Sequence, residues 1–311
     1  MIQIRELTLE NPFILAPMEA VNCASFRVLC KKRGAGLIFT DMIDCDVFMQ
    51  MVEQKGEQVA IQKLINPQPD ERPLIIQLAG PNIQTISQTV RILDSHCDGF
   101  DYNVGCPLSY MLAKKGGVYL MKHPDQLEKL ILQMREIIQK PFFVKIRAGW
   151  QEKNAVHVAQ MLERCGIDAL TIHPRTRKEL YTVRADWPLV RKVKEAISIP
   201  LILSGDVTNS YMAHMAFAHT KCDAIMCGRG AKHNPSVFSD LNKWYETKTQ
   251  PEKPQTLYEK TSQAKQDFVD WLQLYKTRET RYRFSEIQDH ARWTARGAKN
   301  ATECIQLIAQ V

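Results

Sequence analysis

The sequence predicts a TIM barrel, a (β/α)8 architecture, followed by a small C-terminal all-helical domain. Three observations carry this reading. Eight short apolar runs recur between residues 13 and 230. Amphipathic helical patterns lie between them, and repeated strand–helix alternation builds a parallel sheet covered by helices. The alternation then stops near residue 245, where the composition turns polar.

In chain order the runs are FILAP at 13–17, LIFTD at 37–41, LIIQLAG at 74–80, GFDYNV at 99–104, FFVKIRA at 142–148, ALTIHP at 169–174, PLILSGD at 200–206 and AIMCGRG at 224–230. Most are near-continuously apolar, as strands buried on both faces should be. Ile83, Ile86, Val90 and Leu93 share one helical face before the fourth run. Leu127, Leu130, Ile131, Met134, Ile137 and Ile138 share another before the fifth. A doubly wound open sheet is the other architecture that such alternation allows. Residues 246–256, ETKTQPEKPQT, are polar, hold two prolines and read as a linker. Phe268, Trp271, Leu272 and Tyr275 then mark a helix, and a second helical pattern covers 284–310. The expected division is a barrel domain over 1–244 and a helical domain over 245–311.

The bulk numbers set outer limits. Of the 311 residues 45% are apolar and 24% charged, ordinary values for a soluble globular protein. No apolar run reaches the roughly 18 residues a membrane span needs. The opening MIQIRELTLENPF carries early charges and no small-residue cleavage site, so it reads as a cytoplasmic start. The nine cysteines are odd in number and never spaced C-x-x-C. That argues against a zinc or disulfide framework and for a reducing compartment. A net charge of +7 favours a polyanionic partner. No obligatory protein partner is evident, and a monomer is expected.

A barrel's chemistry sits at the C-terminal ends of its strands. Here those ends are polar at seven places. Pro17, Met18 and Glu19 follow the first run, and Gln77 lies in the third. Asn103 and Cys106 end the fourth, Lys145 and Arg147 lie in the fifth, and His173 and Arg175 close the sixth. Ser204, Gly205 and Asp206 close the seventh, and Gly228 and Arg229 the eighth. The last two ends are glycine-rich loops beside a cation, the place where barrels often hold a phosphate. A lysine inside the apolar FFVKIRA must face the barrel mouth or pair with an interior acid, because unpaired burial is costly. Cys106 is either a working acid at that mouth or one of several core-filling thiols.

With these residues assembled, the sequence resembles the tRNA-dihydrouridine synthase family. The resemblance rests on APMEAV, IIQLAG, DYNVGCP, KKGGVYLMKHP, VKIRAGW, IHPRTRKELYTVRADW, SGDV and CGRGAKHNP, in that order over residues 13–236, and on HARWTARG at 290–297. It implies an FMN enzyme that reduces particular tRNA uridines with NADPH. It implies Pro17, Met18 and Glu19 against the flavin ring, Gln77 and Lys145 at its polar edge, and His173 nearby. Ser204, Gly205, Asp206, Gly228 and Arg229 would surround the phosphate. Asn103 would hold the uracil, Arg147 and Arg175 would lie by the substrate, and Cys106 would donate the proton. Lys114, Arg283 and Arg292 would contact RNA. The region 276–299 carries seven basic against three acidic residues, with Tyr275, Tyr282, Phe284 and Trp293 interleaved or adjacent.

The chain departs from the family pattern at four points. Leu108-Ser109 stands where a small and a basic residue are usual, and Ser204 where asparagine is commoner. Pro174 and Ala20 each replace a usual glycine. Two other readings fit parts of the sequence. A small-molecule flavin barrel of the dihydroorotate dehydrogenase type lacks a reason for the basic tail. A non-catalytic RNA-binding barrel lacks a reason for Cys106, Lys145 and both glycine loops.

Overall fold

The computed structural model describes residues 1–253, 263–279 and 283–296. Its centre is a closed barrel of eight parallel strands: β3 (Phe13–Leu15), β4 (Leu37–Asp44), β5 (Leu74–Ala79), β6 (Gly99–Val104), β7 (Phe142–Gly149), β8 (Ala169–Thr176), β9 (Leu201–Leu203) and β10 (Ala224–Cys227). Neighbours in sequence are neighbours in space, and β10 closes on β3. Each of the eight apolar runs became one strand.

Strand side chains alternate between two environments. Ile14, Leu37, Phe39, Ile75, Phe143, Ala169, Ile202 and Met226 fill the barrel interior. Phe13, Leu15, Ile38, Leu74, Ile76, Val144 and Leu203 face the surrounding helices. This double burial is why the runs lack polar alternation. The two predicted helical faces lie on helices Ile83–Leu93 and Pro124–Ile137, where Ile86, Val90, Leu93, Leu127, Leu130, Ile131 and Met134 are buried and Ile83 and Ile137 half-buried. Ile138 is buried just past the second helix.

The N-terminus does more than begin the chain. β1 (Ile2–Ile4) and β2 (Leu7–Leu9) form an antiparallel hairpin. Ile4 and Leu9 join the barrel-interior cluster, so the hairpin packs on it as a plug. Strands this short carry too little periodicity to be read from sequence.

The expected domain boundary falls at a helix. The last barrel helix, Val237–Thr247, runs through residue 244, so a break there would fall inside a helix. Helices Ala264–Arg278 and Phe284–Arg296 follow. They share a continuous core with the barrel, through Phe268, Trp271, Leu274, Tyr275, Ile287 and Ala291. The His290 ring stacks on Trp271 at 4.1 Å and lies 5.4 Å from Phe26 of the first barrel helix. Arg33 binds Asp267 and Asp270, and Ser25 donates to Glu279. Among the described residues no helix is long and apolar enough to cross a membrane.

Candidate active site

Above the apolar interior lies a polar layer, and it faces a cleft at the C-terminal ends of the strands. Register explains the layer. Gln77 pairs with Asp101, Asn103 with Lys145, and Lys145 with Thr171. Residues two apart on one strand share a face, so Asp101 and Asn103 both point inward. The cleft contains about 600 Å³ of empty space, part of it open to solvent. Pro17, Met18, Lys145, His173, Arg175, Ser204, Gly205, Asp206, Gly228 and Arg229 line it. Gln77, Asn103, Cys106 and Arg147 are not among the residues that line it.

Lys145 is the most informative group. Among the described residues its ammonium makes no hydrogen bond or ion pair, although it sits in the barrel wall. Burial and the Arg147 charge push its pKa down, to about 8, while Asp101 opposes the shift. A partly buried cation without a hydrogen-bond partner is costly, so the site is preorganised for an electron-rich ligand. His173 is held neutral, first by burial and then by Lys145, Arg147, Arg175 and Arg229.

The far end of the cleft is built by two loops locked together through glycine. A Cβ at Gly205 would come within 3.0 Å of Ala185 and Pro174, and one at Gly230 within 3.0 Å of the Val207 carbonyl. Pro174, unusual for the resemblance, therefore packs on Gly205. Asp206 accepts from Arg175 and from Arg229. These guanidiniums hold its carboxyl below the ordinary range despite burial. Arg229 keeps 41% of its side chain exposed to the cleft. Tyr181, 56% exposed, lies across this end with its ring 4.4 Å from the Arg229 guanidinium.

Cys106 follows the C-terminal end of β6 and is buried, 8% exposed. Its loop is held from three sides. Asn103 Oδ1 accepts from the N–H groups of Gly105 and Cys106, at 2.9 and 2.8 Å. Arg147 Nε donates to the Gly105 carbonyl at 2.7 Å. The Cys106 carbonyl accepts from Val118 N–H. Gly117 is required beneath it: with φ at 58°, a Cβ there would meet the Cys106 carbonyl at 2.6 Å. Burial raises the thiol's pKa, with Arg147 and Lys145 pulling the other way. Cys106 is therefore a protonated thiol at neutral pH with cations near its conjugate base.

Several residues read from sequence as contacts are engaged inside the protein. Arg147 and Arg175 are buried, on Gly105 and Thr176 carbonyls and on Asp206 and Val183 respectively. Lys114 is paired with Asp44 and Asp46. Asn103 donates one N–H to Gln77 and keeps one unassigned. Glu19 is exposed on the rim, outside the cleft lining. Arg283 and Arg292 lie exposed at the second tail helix, each beside an acid on that same helix. Trp293 packs under Lys232, at 3.8 Å. Tyr282, Arg281 and Lys299 lie outside the described residues.

Sequence reasoning passed over Asp101 and Tyr181. Asp101 had a signal: an acid inside an apolar strand, two residues from Asn103. Tyr181 had none, because only the folded loop brings it to Arg229.

Comparison with solved structures finds the same barrel fold elsewhere. An old yellow enzyme homologue from Zymomonas mobilis superposes with a TM-score of 0.56 at 14% identity, covering 82% of this chain and 93% of its own. At that identity the likeness concerns fold alone. Fold and cleft together define the class, a (β/α)8 barrel with a polar cleft at the C-terminal ends of its strands. The family model for dihydrouridine synthase (Dus) matches residues 14–311, and the chain belongs to that family. tRNA-dihydrouridine synthase B of Salmonella typhimurium is 33% identical over 249 residues, covering 79% of this chain and 76% of the relative. The protein of that name from Escherichia coli K12 is 32% identical over the same span.

Proposed function

We propose that this protein reduces specific uridines of tRNA to 5,6-dihydrouridine, with FMN as resident cofactor and NADPH as electron donor. The observation that carries the proposal is a protonated, loop-clamped Cys106 within the electrostatic reach of Lys145, which lines the cleft.

The residues present fit an FMN. Lys145 offers an unpaired ammonium to an electron-rich ring, and Pro17 and Met18 offer a flat apolar wall. Gly205, Gly228 and Arg229, with Ser204, form an open, cationic end suited to the phosphate. When bound and reduced, the flavin supplies a hydride equivalent for C6 of uracil.

The chain's own residues do the rest. Cys106 delivers the proton to C5: its S–H bond breaks, the C5–H bond forms, and a thiolate remains. Arg147 and Lys145 stabilise that thiolate. Solvent then reprotonates it. Asn103 and Gln77 each retain an N–H for a carbonyl acceptor. The target base must leave its stack to reach them. Exposed Arg283 and Arg292 are held only by weak surface pairs and can exchange those partners for phosphates.

The test is dihydrouridine mapping of tRNA from a deletion strain carrying the wild-type or the Cys106→Ala gene. Restoration by the first and not the second is expected. Unchanged dihydrouridine in the deletion strain, with no second synthase gene, would overturn the reading.

A further inference from the structure

Asp101 carries no role in the mechanism above, yet it begins the hydrogen-bond chain that ends at Cys106. It is fully buried inside the barrel. Its Oδ2 accepts from Gln77 Nε2 at 2.5 Å. Gln77 Oε1 accepts from Asn103 Nδ2 at 2.8 Å. Asn103 Oδ1 then accepts from the N–H groups of Gly105 and Cys106.

The direction of this chain depends on its first member. An amide side chain has two orientations of similar shape, one donor end and one acceptor end. Burial raises the Asp101 acid to about 7, so above neutral pH it is a carboxylate, which only accepts. It forces the amino end of Gln77 towards itself and the carbonyl end towards Asn103. That in turn forces the Asn103 amino group towards Gln77 and its carbonyl towards the cysteine loop. With the opposite orientation, Asn103 would present N–H groups to two backbone N–H groups, and the clamp would open.

We propose that Asp101 is a positioning residue, whose buried carboxylate sets the orientation of Gln77 and Asn103 and thereby holds the Cys106 loop in its working shape. The same polarity leaves the spare N–H of both amides, with Lys145, as a donor-only floor. Such a floor suits a ligand whose facing edge carries acceptors, and this consequence rests on the flavin and uracil reading. Asp101 also acts on Lys145 directly, since its charge favours the protonated amine.

The experiment uses the full-length protein and does not require turnover. Cys106 alkylation by iodoacetamide is followed by peptide mass spectrometry in wild type, Asp101→Asn and Gln77→Glu, with circular dichroism to check the fold. Asparagine can donate as well as accept, so the chain loses its direction. Alkylation of Cys106 should rise about fivefold, measured against its full alkylation after denaturation as the internal standard. Gln77→Glu sets two carboxyl groups face to face, and should accelerate alkylation in the same way above neutral pH and less in acid. It decides the matter if Asp101→Asn does not fold. Wild-type alkylation rates in the folded variants would overturn the proposal. In the FMN-loaded protein, Asp101→Asn should lower single-turnover uridine reduction about tenfold with unchanged tRNA KM. If wild type itself lacks uridine reduction, the function fails, while the alkylation result still judges Asp101.

Discussion

Arg229 Nη2 and Arg175 Nη2 bind the same carboxylate, Asp206, at 2.8 and 2.6 Å. Asp206 adopts a left-handed φ of 59° and also accepts from Ala185 N–H. One acid therefore fixes two cations that would otherwise repel, and it leaves the more exposed one facing the cleft. Asp206→Asn should weaken FMN binding about tenfold, read by fluorescence titration. Because the folded pKa of Asp206 is depressed, its contribution is full above the ordinary carboxylate range and is lost only as pH falls through that range. FMN affinity should accordingly owe nothing to Asp206 ionisation between pH 6 and 8.

Cys106→Ala should keep flavin absorbance and lose uridine reduction by roughly 100-fold or more, the scale of a general acid. Single-turnover assays with prereduced protein measure it. Full activity would refute the proton-donor role.

Gly117→Ala tests the loop from beneath. The substitution forces a side chain into a left-handed backbone and against the Cys106 carbonyl. A stability loss of about 2 kcal/mol is expected from strain at such a site. Uridine reduction should fall more than FMN affinity does. Denaturant unfolding and flavin titration on the same preparation separate the two effects.

Ala20 supplies the opposite test. It holds φ at 60° where the resemblance expects glycine, and its N–H donates to Asp41 at 3.0 Å. Ala20→Gly relieves the left-handed strain and keeps the hydrogen bond. A gain of about 0.5–1 kcal/mol should appear as a slightly higher Tm.

His290 predicts an acid-sensitive contact between barrel and tail. Burial lowers its pKa from 6.5 to about 3. The unfolded state therefore binds more protons between those values, so stability is full above pH 6.5 and declines as pH falls towards 3. Asp41 and Asp101, both raised to about 7 by burial, act in the opposite sense. Comparison with His290→Phe isolates the histidine. The variant should flatten the pH dependence by about 3 kcal/mol between pH 6.5 and 4. Tryptophan fluorescence during denaturant unfolding gives the readout.

Much of the barrel was legible because its signal is local. Each strand had to bury both faces, so each wrote itself as an apolar run, and the polar strand ends stood out against that background. The hairpin at Ile2–Ile4 and Leu7–Leu9 was not legible, since three-residue strands show no period. Helix Val237–Thr247 runs through the expected 244/245 division because its pattern stays amphipathic past that point.

For the site, residue types were readable and their partners were not. The sequence alone determined the eight-strand architecture, the rim on which chemistry could sit, and the presence there of Cys106, Lys145 and two glycine loops. Only tertiary structure decided which cations are spent and which are left over. Arg147, Arg175 and Lys114 are satisfied by groups 40 or so, 31 and 70 positions away in sequence, while Lys145 is left without a partner among the described residues. Hydrogen-bond partners across a barrel are set by register between strands, a long-range property that no local pattern encodes.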